Sequence, residues 1–310
     1  MDKSKDKVFA ASLSVASNVT LTISKIGVGI SIGSISVLSE ALHSAIDLVA
    51  SLIALYAVKT SGKPADREHP FGHGKIENIS GAVEAILIFI AAGWIIFESV
   101  KKLISPHVIE SASWGVGVMF ISSVLNFFVS QYLFKVSHAT DSVALEADAW
   151  HLRTDVYTSL GVMVGLGLMW FGSAFFPAVD LSWLDPVAAL AVALLIIRAA
   201  YELTVKATKD LLDESLPPEE LHWLKSNVFD TYPNIKSCHS LKTRKSGPSR
   251  FIEFHLAVES AMSVEDSHAI TEQLEKMIKA RFPDANVIIH IEPCDDEHCH
   301  QACEQGCKLT

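Results

Sequence analysis

Residues 144–164, ALEADAWHLRTDVYTSLGVMV, decide the fold because they are apolar enough to span a membrane and still carry ionisable side chains. On insertion scales, an ionisable group at the centre of a spanning helix costs about 2.5–3.5 kcal/mol, so it needs a partner or a water-filled cavity. His151 and Asp155 are four residues apart and therefore project from one helix face. The segment also contains Glu146, Asp148 and Arg153.

A second apolar segment, residues 39–56 (SEALHSAIDLVASLIALY), repeats this pair at the same spacing. A single His-x3-Asp on a helix is more often a surface ion pair, but two pairs inside apolar spans are costly to bury without a partner. Two nitrogen and two oxygen donors match tetrahedral Zn²⁺, and two carboxylates neutralise its charge. We predict one metal site shared by His43, Asp47, His151 and Asp155.

Long apolar runs dominate the first two thirds of the chain. Half of the 310 residues are hydrophobic, and a run of roughly twenty apolar residues crosses a bilayer as a helix. The pattern predicts an α-helical membrane protein with a transmembrane domain at residues 1–212. The six predicted transmembrane helices lie at residues 9–32, 38–59, 79–103, 112–134, 143–171 and 184–206.

The placement of lysine and arginine predicts that both termini are cytoplasmic, because cytoplasmic loops carry the excess of these residues. The 172–183 loop has neither, and Lys101 and Lys102 are the exception, at the end of span three. The residues that set this orientation are Lys3, Lys5, Lys7, Lys59, Lys63, Arg67, Lys75, Lys135, Lys206 and Lys209.

Several polar or small residues inside the predicted spans are explained by helix packing. Asparagine side chains commonly form interhelical hydrogen bonds, and we expect this of Asn18 and Asn126. Gly161 and Gly165 form a small-xxx-small pair, which favours close packing of two helices. Glu84 leaves two alternatives open: it lines the ion path, or it faces water near the membrane surface.

The loop between spans two and three, residues 61–78 (SGKPADREHPFGHGKIEN), is broken by proline and glycine. Asp66, His69 and His73 have the chemistry and close spacing of metal ligands. They predict a second metal site, and a hydrated polar loop is the alternative.

After Asp213 the composition changes to that of a small α+β domain at residues 213–293. The predicted order is helix (217–230), strand (236–245), strand (250–259), helix (263–281) and strand (286–292), in a ferredoxin- or metallochaperone-like αββαβ arrangement. This order suggests an antiparallel sheet with helices on one face. A single histidine here is more often a surface or packing residue, but five candidate ligands predict metal binding: His239, His255, His268, His290 and Glu292.

Residues 294–310 form a Cys/His-rich tail. Because the tail is predicted to be cytosolic, metal capture is favoured over disulfides, and its spacing is not that of a Cys-x2-Cys site. We expect a chelating tail without defined structure. Its ligand-type residues are Cys294, His298, Cys299, His300, Cys303 and Cys307.

The charge of the chain is acidic and uneven. The net charge is −10, and residues 213–310 contain 10 Lys and Arg against 17 Asp and Glu, so about −7 lies there. An acidic domain argues against nucleic acid as a partner and suits cations.

These features together resemble the cation diffusion facilitator family. The motifs are ADxxHxxxD at residues 147–155, HPFGHGKIE at residues 69–77 and RxSGPxRFIxxHL at residues 244–256, and the resemblance covers about residues 8–293. It implies a homodimeric exporter of Zn²⁺ and related divalent ions, driven by proton exchange, in a bacterial inner membrane.

The resemblance also implies three sites, carried over residue by residue. They are a transport site at His43, Asp47, His151 and Asp155, a loop site at Asp66, His69 and His73, and a binuclear cytosolic site at His239, His255, His268, His290 and Glu292. Several bacterial members have Asp where this chain has His43, and the histidine matches the zinc-selective branch. Position 292 is Glu where Asp is familiar in the family.

We expect alternating access, in which Zn²⁺ displaces protons from His43 and His151 and leaves when these residues are reprotonated. An exporter of Fe²⁺ or Mn²⁺ and a membrane-bound metal sensor or store are the alternatives. An enzyme is not expected, because the chain has no His-Glu-x-x-His motif of a zinc hydrolase.

Overall fold

The computed structural model describes residues 3–32, 35–105, 113–175, 183–229 and 236–294. It divides the chain into two compact units, Met1–Thr208 and Lys209–Thr310. Most of the predicted 172–183 loop, and the Cys/His tail beyond Cys294, lie outside the described residues.

Long helices form the first unit. Four of them, α1, α2, α3 and α6, are long and apolar enough to cross a membrane, so this unit is a helical transmembrane domain. Helix α5 is of similar length but carries the charged residues of the ADxxHxxxD motif, and the count of six spans stays a prediction. The helices are α1 (Lys3–Ile32), α2 (Ile35–Ser61), α3 (Lys75–Ile104), α4 (Ser113–Thr140), α5 (Val143–Phe175) and α6 (Leu184–Leu211).

Helix α5 packs between two apolar clusters, which fixes the direction of its polar face. Leu145 and Leu152 pack with residues of α1, α2 and α4, while Ala147 packs with residues of α3 and α6. The predicted close packing at the glycine pair is confirmed. A Cβ at Gly161 would come within 2.7 Å of Val192 Cγ2, and one at Gly165 within 2.8 Å of the Cα of a residue in α6.

A buried network centred on Glu77 joins four segments at the end of the bundle that carries residues 62–74. Glu77 is fully buried, and Lys7 Nζ of α1 donates to its Oε1 at 2.5 Å. Ser61 Oγ at the end of α2 donates to the same oxygen at 2.6 Å, and Ser142 Oγ donates to Oε2. A buried charge needs both a counter-ion and hydrogen bonds, and this network ties the four segments together at that end of the bundle.

The second unit builds a small sheet on one hydrophobic core. Ser263 caps the N-terminus of α8, because its Oγ accepts the backbone N–H of Asp266 at 3.0 Å. The core includes Leu224, Phe254 and Leu274. The elements are α7 (Pro218–Leu224), a π-helical segment (Lys225–Phe229), β1 (Ser237–Ser246), β2 (Ser249–Glu259), α8 (Val264–Arg281) and β3 (Ala285–Cys294).

The sheet is mixed, so the prediction of an antiparallel sheet is wrong for its last strand. The order is β1-β2-β3, with β1 antiparallel to β2 and β3 parallel to β2. A short turn joins β1 to β2 and reverses the chain, whereas α8 joins β2 to β3, and a crossover helix returns the chain in the same direction. This register places His255 opposite His290 and Ala257 opposite Glu292.

Replacing Glu77 by Ala should destabilise the protein by about 3–5 kcal/mol, because Lys7 would be left buried without its counter-charge. Replacing both residues by Met should recover part of the loss. The measurement is the midpoint of unfolding in one detergent. As a control, Glu98→Ala on the same helix removes a half-exposed partner 3.9 Å from Lys101 and should change stability by less than about 1 kcal/mol. Equal effects of the two alanine variants would contradict the role of the network.

Candidate metal centre

Helices α2 and α5 bring two His and two Asp side chains together inside the bundle. His151 Nε2 lies 3.1 Å from Asp47 Oδ1, and His43 Nε2 lies 3.9 Å from Asp155 Oδ1. One donor atom from each of His43, Asp47 and Asp155 lies within 4.8 Å of the other two. Each contact joins α2 to α5. The His and Asp of each helix are one turn apart, so both side chains lie on the same face of that helix.

The donor set suits a small divalent cation. Tetrahedral Zn²⁺ with bonds of about 2.0–2.1 Å has its donor atoms roughly 3.3 Å apart. The His151–Asp47 contact is near that separation. The His43–Asp155 contact is wider, and His151 does not belong to the group formed by His43, Asp47 and Asp155. Asp47 and His151 are only 5 % and 6 % exposed, so an uncompensated Asp47 carboxylate is unfavourable there. The side chains of His43 and Asp155 are 53 % and 21 % exposed, so the cluster is more open on their side.

A polar cavity of about 180 Å³ opens beside the cluster. Its lining comes from the middle parts of α1, α2, α4 and α5. Hydroxyl and amide groups let water occupy a cavity at membrane depth. Asn126 Oδ1 has no hydrogen-bond partner among the described residues. The polar lining residues are Asn18, Lys25, His43, Ser44, Asp47, Ser122, Ser123, Asn126, Asp155, Thr158 and Ser159.

The sequence analysis missed Lys25 and Ser44. Lys25 Nζ donates to Ser44 Oγ at 2.7 Å. Asn18 Nδ2 donates to the backbone oxygen of Asp47 at 3.4 Å, which confirms the expected interhelical bond of Asn18. The spacing of Asn18, Thr22 and Lys25 could have predicted this polar face of α1, because residues at i, i+4 and i+7 lie on one side of a helix.

Two further carboxylates lie in the interior of the bundle. Glu84 and Asp148 are both fully buried, and both are within electrostatic range of His151. Glu84 Oε1 accepts from Ser80 Oγ at 3.2 Å. The alternative that Glu84 faces water is therefore wrong.

Arg153 belongs to a different face of α5. Its guanidinium lies 4.8 Å from the ring centroid of Phe127 and 5.5 Å from that of Phe134, where cation–π attraction offsets part of its burial cost. Arg153 therefore packs against α4 and is not one of the candidate ligands.

The loop residues Asp66, His69 and His73 also converge. Asp66 Oδ1 lies 3.3 Å from His69 Nδ1, and Asp66 Oδ2 lies 3.3 Å from His73 Nε2. The backbone N–H groups of His69 and Glu68 donate to the Asp66 carboxylate at 2.7 and 3.0 Å. The bond from His69, above all, holds the pKa of Asp66 below its ordinary value. The carboxylate is therefore ionised at neutral pH, as a metal ligand must be.

Glu292 is the centre of the cluster in the second unit. Its Oε1 lies 2.8 Å from His255 Nδ1 and 3.5 Å from His290 Nε2. Its Oε2 lies 3.2 Å from His239 Nε2. The parallel pairing of β3 with β2 creates this arrangement, because it places residues 290–292 beside His255.

Two other predicted ligands lie apart from these clusters. His268 is 71 % exposed on α8, and its Nε2 lies 3.8 Å from Oε1 of Glu272, one turn away. Within one chain it does not join the group of His239, His255 and Glu292. Cys294 is disulfide-bonded, so the preference for a free metal-capturing thiol is wrong at this position; the remaining tail residues are not described.

Comparison with known proteins agrees with this two-part organisation. A family model described as the cation efflux transmembrane domain matches residues 11–212, and one described as the cytoplasmic domain of a cation efflux protein matches residues 216–294. The chain is 33 % identical to an uncharacterized transporter of Synechocystis over 286 residues, which cover 92 % of this chain and 90 % of the relative.

Two further likenesses concern named transporters. The cation-efflux pump FieF of Salmonella arizonae is 33 % identical over 264 residues, 84 % of each chain. The metal-bound C-terminal domain of the CzcD transporter from Thermotoga maritima is 32 % identical, with a TM-score of 0.23, and covers 25 % of this chain and 94 % of its own. From the family models and the full-length relatives, the chain belongs to the cation efflux family and is a membrane transporter of divalent metal cations, not an enzyme.

Proposed function

We propose that the protein exports Zn²⁺ from the cytosol in exchange for protons, by alternating access, as a homodimer in a bacterial inner membrane. The observation that carries this proposal is the His43, Asp47, His151 and Asp155 set between two membrane helices, beside a polar cavity. Two imidazole nitrogens and two carboxylate oxygens suit borderline Zn²⁺ in tetrahedral geometry.

Proton exchange follows from the contacts within the set. An imidazole binds metal only when it is neutral, and an unperturbed imidazole titrates near pH 6.5. Without cargo, a protonated His151 pairs with Asp47, and a protonated His43 pairs with Asp155. Zn²⁺ displaces the protons from both imidazoles and binds to both carboxylates. Reprotonation of the imidazoles on the far side then releases the ion.

The direction of transport rests on the proposed cytoplasmic location of the N-terminus. Residues 62–74 then lie on the cytosolic side, where the Glu77 network closes the bundle. In this proposal the cavity lined by His43, Asp47 and Asp155 opens toward the other side. The arrangement supports an outward-open conformation from which cargo leaves.

The two remaining clusters are proposed to serve metal capture and regulation. Asp66 and His69 are about half exposed, and the side chains around Glu292 are partly exposed. Exposed ligands exchange metal with the cytosol without a conformational change of the bundle. Zinc bound at Glu292 would stabilise the second unit and, through it, the dimer.

The alternative cargoes are Fe²⁺ and Mn²⁺, although Mn²⁺ favours more oxygen ligands than this set contains. A metal sensor or store is the alternative from another functional class, in which the exposed clusters are primary. Flux of competing divalent ions into vesicles under an imposed pH gradient distinguishes these functions, because a sensor or store would move no metal.

Asp155→Ala should reduce zinc flux in proteoliposomes at least about tenfold, because one of the two carboxylates that neutralise the ion is lost. Size-exclusion profiles should be unchanged. The control is Glu202→Gln, which removes an exposed charge on α6 that pairs with Arg198 at 2.9 Å. Near-normal zinc flux in the Asp155 variant would contradict the proposed transport site.

His43→Asp should keep zinc transport and gain cadmium transport. Imidazole has one fixed donor direction, whereas a carboxylate binds through one or both oxygens and admits larger ions. The pH dependence of flux should become less steep, because one titrating imidazole is lost. The test is the ratio of cadmium to zinc flux in matched vesicles; an unchanged ratio would show that His43 does not set selectivity.

Glu292→Ala should lower the number of zinc ions bound per full-length protomer, because Glu292 contacts three histidines. His222→Ala, which removes a histidine of α7 outside that group, is the matched control. Metal content after equilibrium dialysis measures the effect. Equal zinc content in the two variants would exclude Glu292 as a ligand.

A further inference from the structure

Lys25 is a cationic side chain inside the cavity of a cation transporter. It is 6 % exposed, and its Nζ donates to Ser44 Oγ at 2.7 Å. It lines the same cavity as His43, Asp47 and Asp155. None of the steps derived above uses it.

Two hydrogen bonds to Ser44 of α2 come from the face of α1 that carries Lys25. Thr22 Oγ1 of α1 donates to the backbone oxygen of Ser44 at 3.0 Å, one turn before Lys25 on the same face. Ser44 directly follows His43 in the sequence. The ammonium group is therefore bonded to α2 one residue from His43 in the sequence, in the cavity that His43 also lines.

Lys25 lines the same cavity of about 180 Å³ as three of the candidate ligands. A unit charge and a divalent ion that share one cavity in a protein interior interact appreciably even at an effective dielectric constant of about 20. The interaction is repulsive when the cluster is loaded and absent when the ion has left. It therefore weakens binding in the conformation that has this cavity.

We infer that Lys25 is the residue that promotes release of the divalent cation from the His43, Asp47 and Asp155 cluster and opposes its return from the cavity side. The inference rests on the proposed export function and on the proposed location of the cavity on the far side of the membrane. Lys25 acts by charge and position and is not a ligand. Ser44 sets the position of the ammonium group.

The test compares Lys25→Gln, which removes the charge, with Lys25→Arg, which keeps it. The proteins are reconstituted at full length, and ZnCl₂ is added on the side from which zinc leaves. Lys25→Gln should be inhibited by about tenfold less zinc than the wild type, and its maximum flux should fall several-fold because release is slower. Lys25→Arg should restore both values. The matched control is Lys59→Gln, which removes an exposed charge of α2 outside the cavity.

An unchanged inhibitory zinc concentration in Lys25→Gln would overturn the inference, as would failure of Lys25→Arg to restore it. If Lys25→Gln and Lys25→Met both fail to give folded dimers, the ammonium group is structural and the inference is also wrong. Failure of the export function is a separate result, because it appears as the absence of zinc flux in the wild-type protein.

Discussion

The structure depends on the placement of two carboxylates, Asp47 and Asp155, between apolar helices. Each is in contact with an imidazole of the other helix, so the pairs His151–Asp47 and His43–Asp155 fix α2 against α5. Inside a membrane these pairs replace the water that would otherwise solvate the charges. The rest of the bundle follows from this constraint. Helix α5 must present its polar face to α2 while its other faces pack on apolar neighbours.

The two ends of the bundle differ in a way that matches the proposed transport cycle. At one end, Lys7, Ser61 and Ser142 surround the buried carboxylate of Glu77. Opening that end requires breaking several hydrogen bonds to one charge, which gives a closed state with a discrete barrier. The cavity has a polar lining, and Asp155 Oδ2 within it has no hydrogen-bond partner among the described residues. A transporter needs this asymmetry, because both ends cannot be open at once.

Local spacing accounts for most of what the sequence could predict. The His-x3-Asp pairs and the glycine pair depend on residues one turn apart, and helical geometry alone places them on one face. The direction of β3 was not predicted, because it depends on the crossover through α8 and not on alternation within the strand. The partners of Glu77 come from segments up to 70 residues away, a separation at which spacing carries no information. Lys25 could not be predicted for a different reason: a polar stripe on one helix face does not show which groups of the neighbouring helix its members contact.

Burial also explains why the proposed exchange involves protons in particular. The side chains of Asp47 and His151 are 7 % and 8 % exposed, so a bare Asp47 carboxylate in an emptied cluster would lie in a medium that solvates charge poorly. Protons are always present and bind to the same imidazole nitrogens and carboxylate oxygens, and imidazole accepts a proton near neutral pH. In the proposed cycle, the dielectric environment therefore couples release of the divalent ion to protonation. At the proposed loop site, the side chain of Asp66 is 53 % exposed, so solvent could replace a bound metal there without a proton.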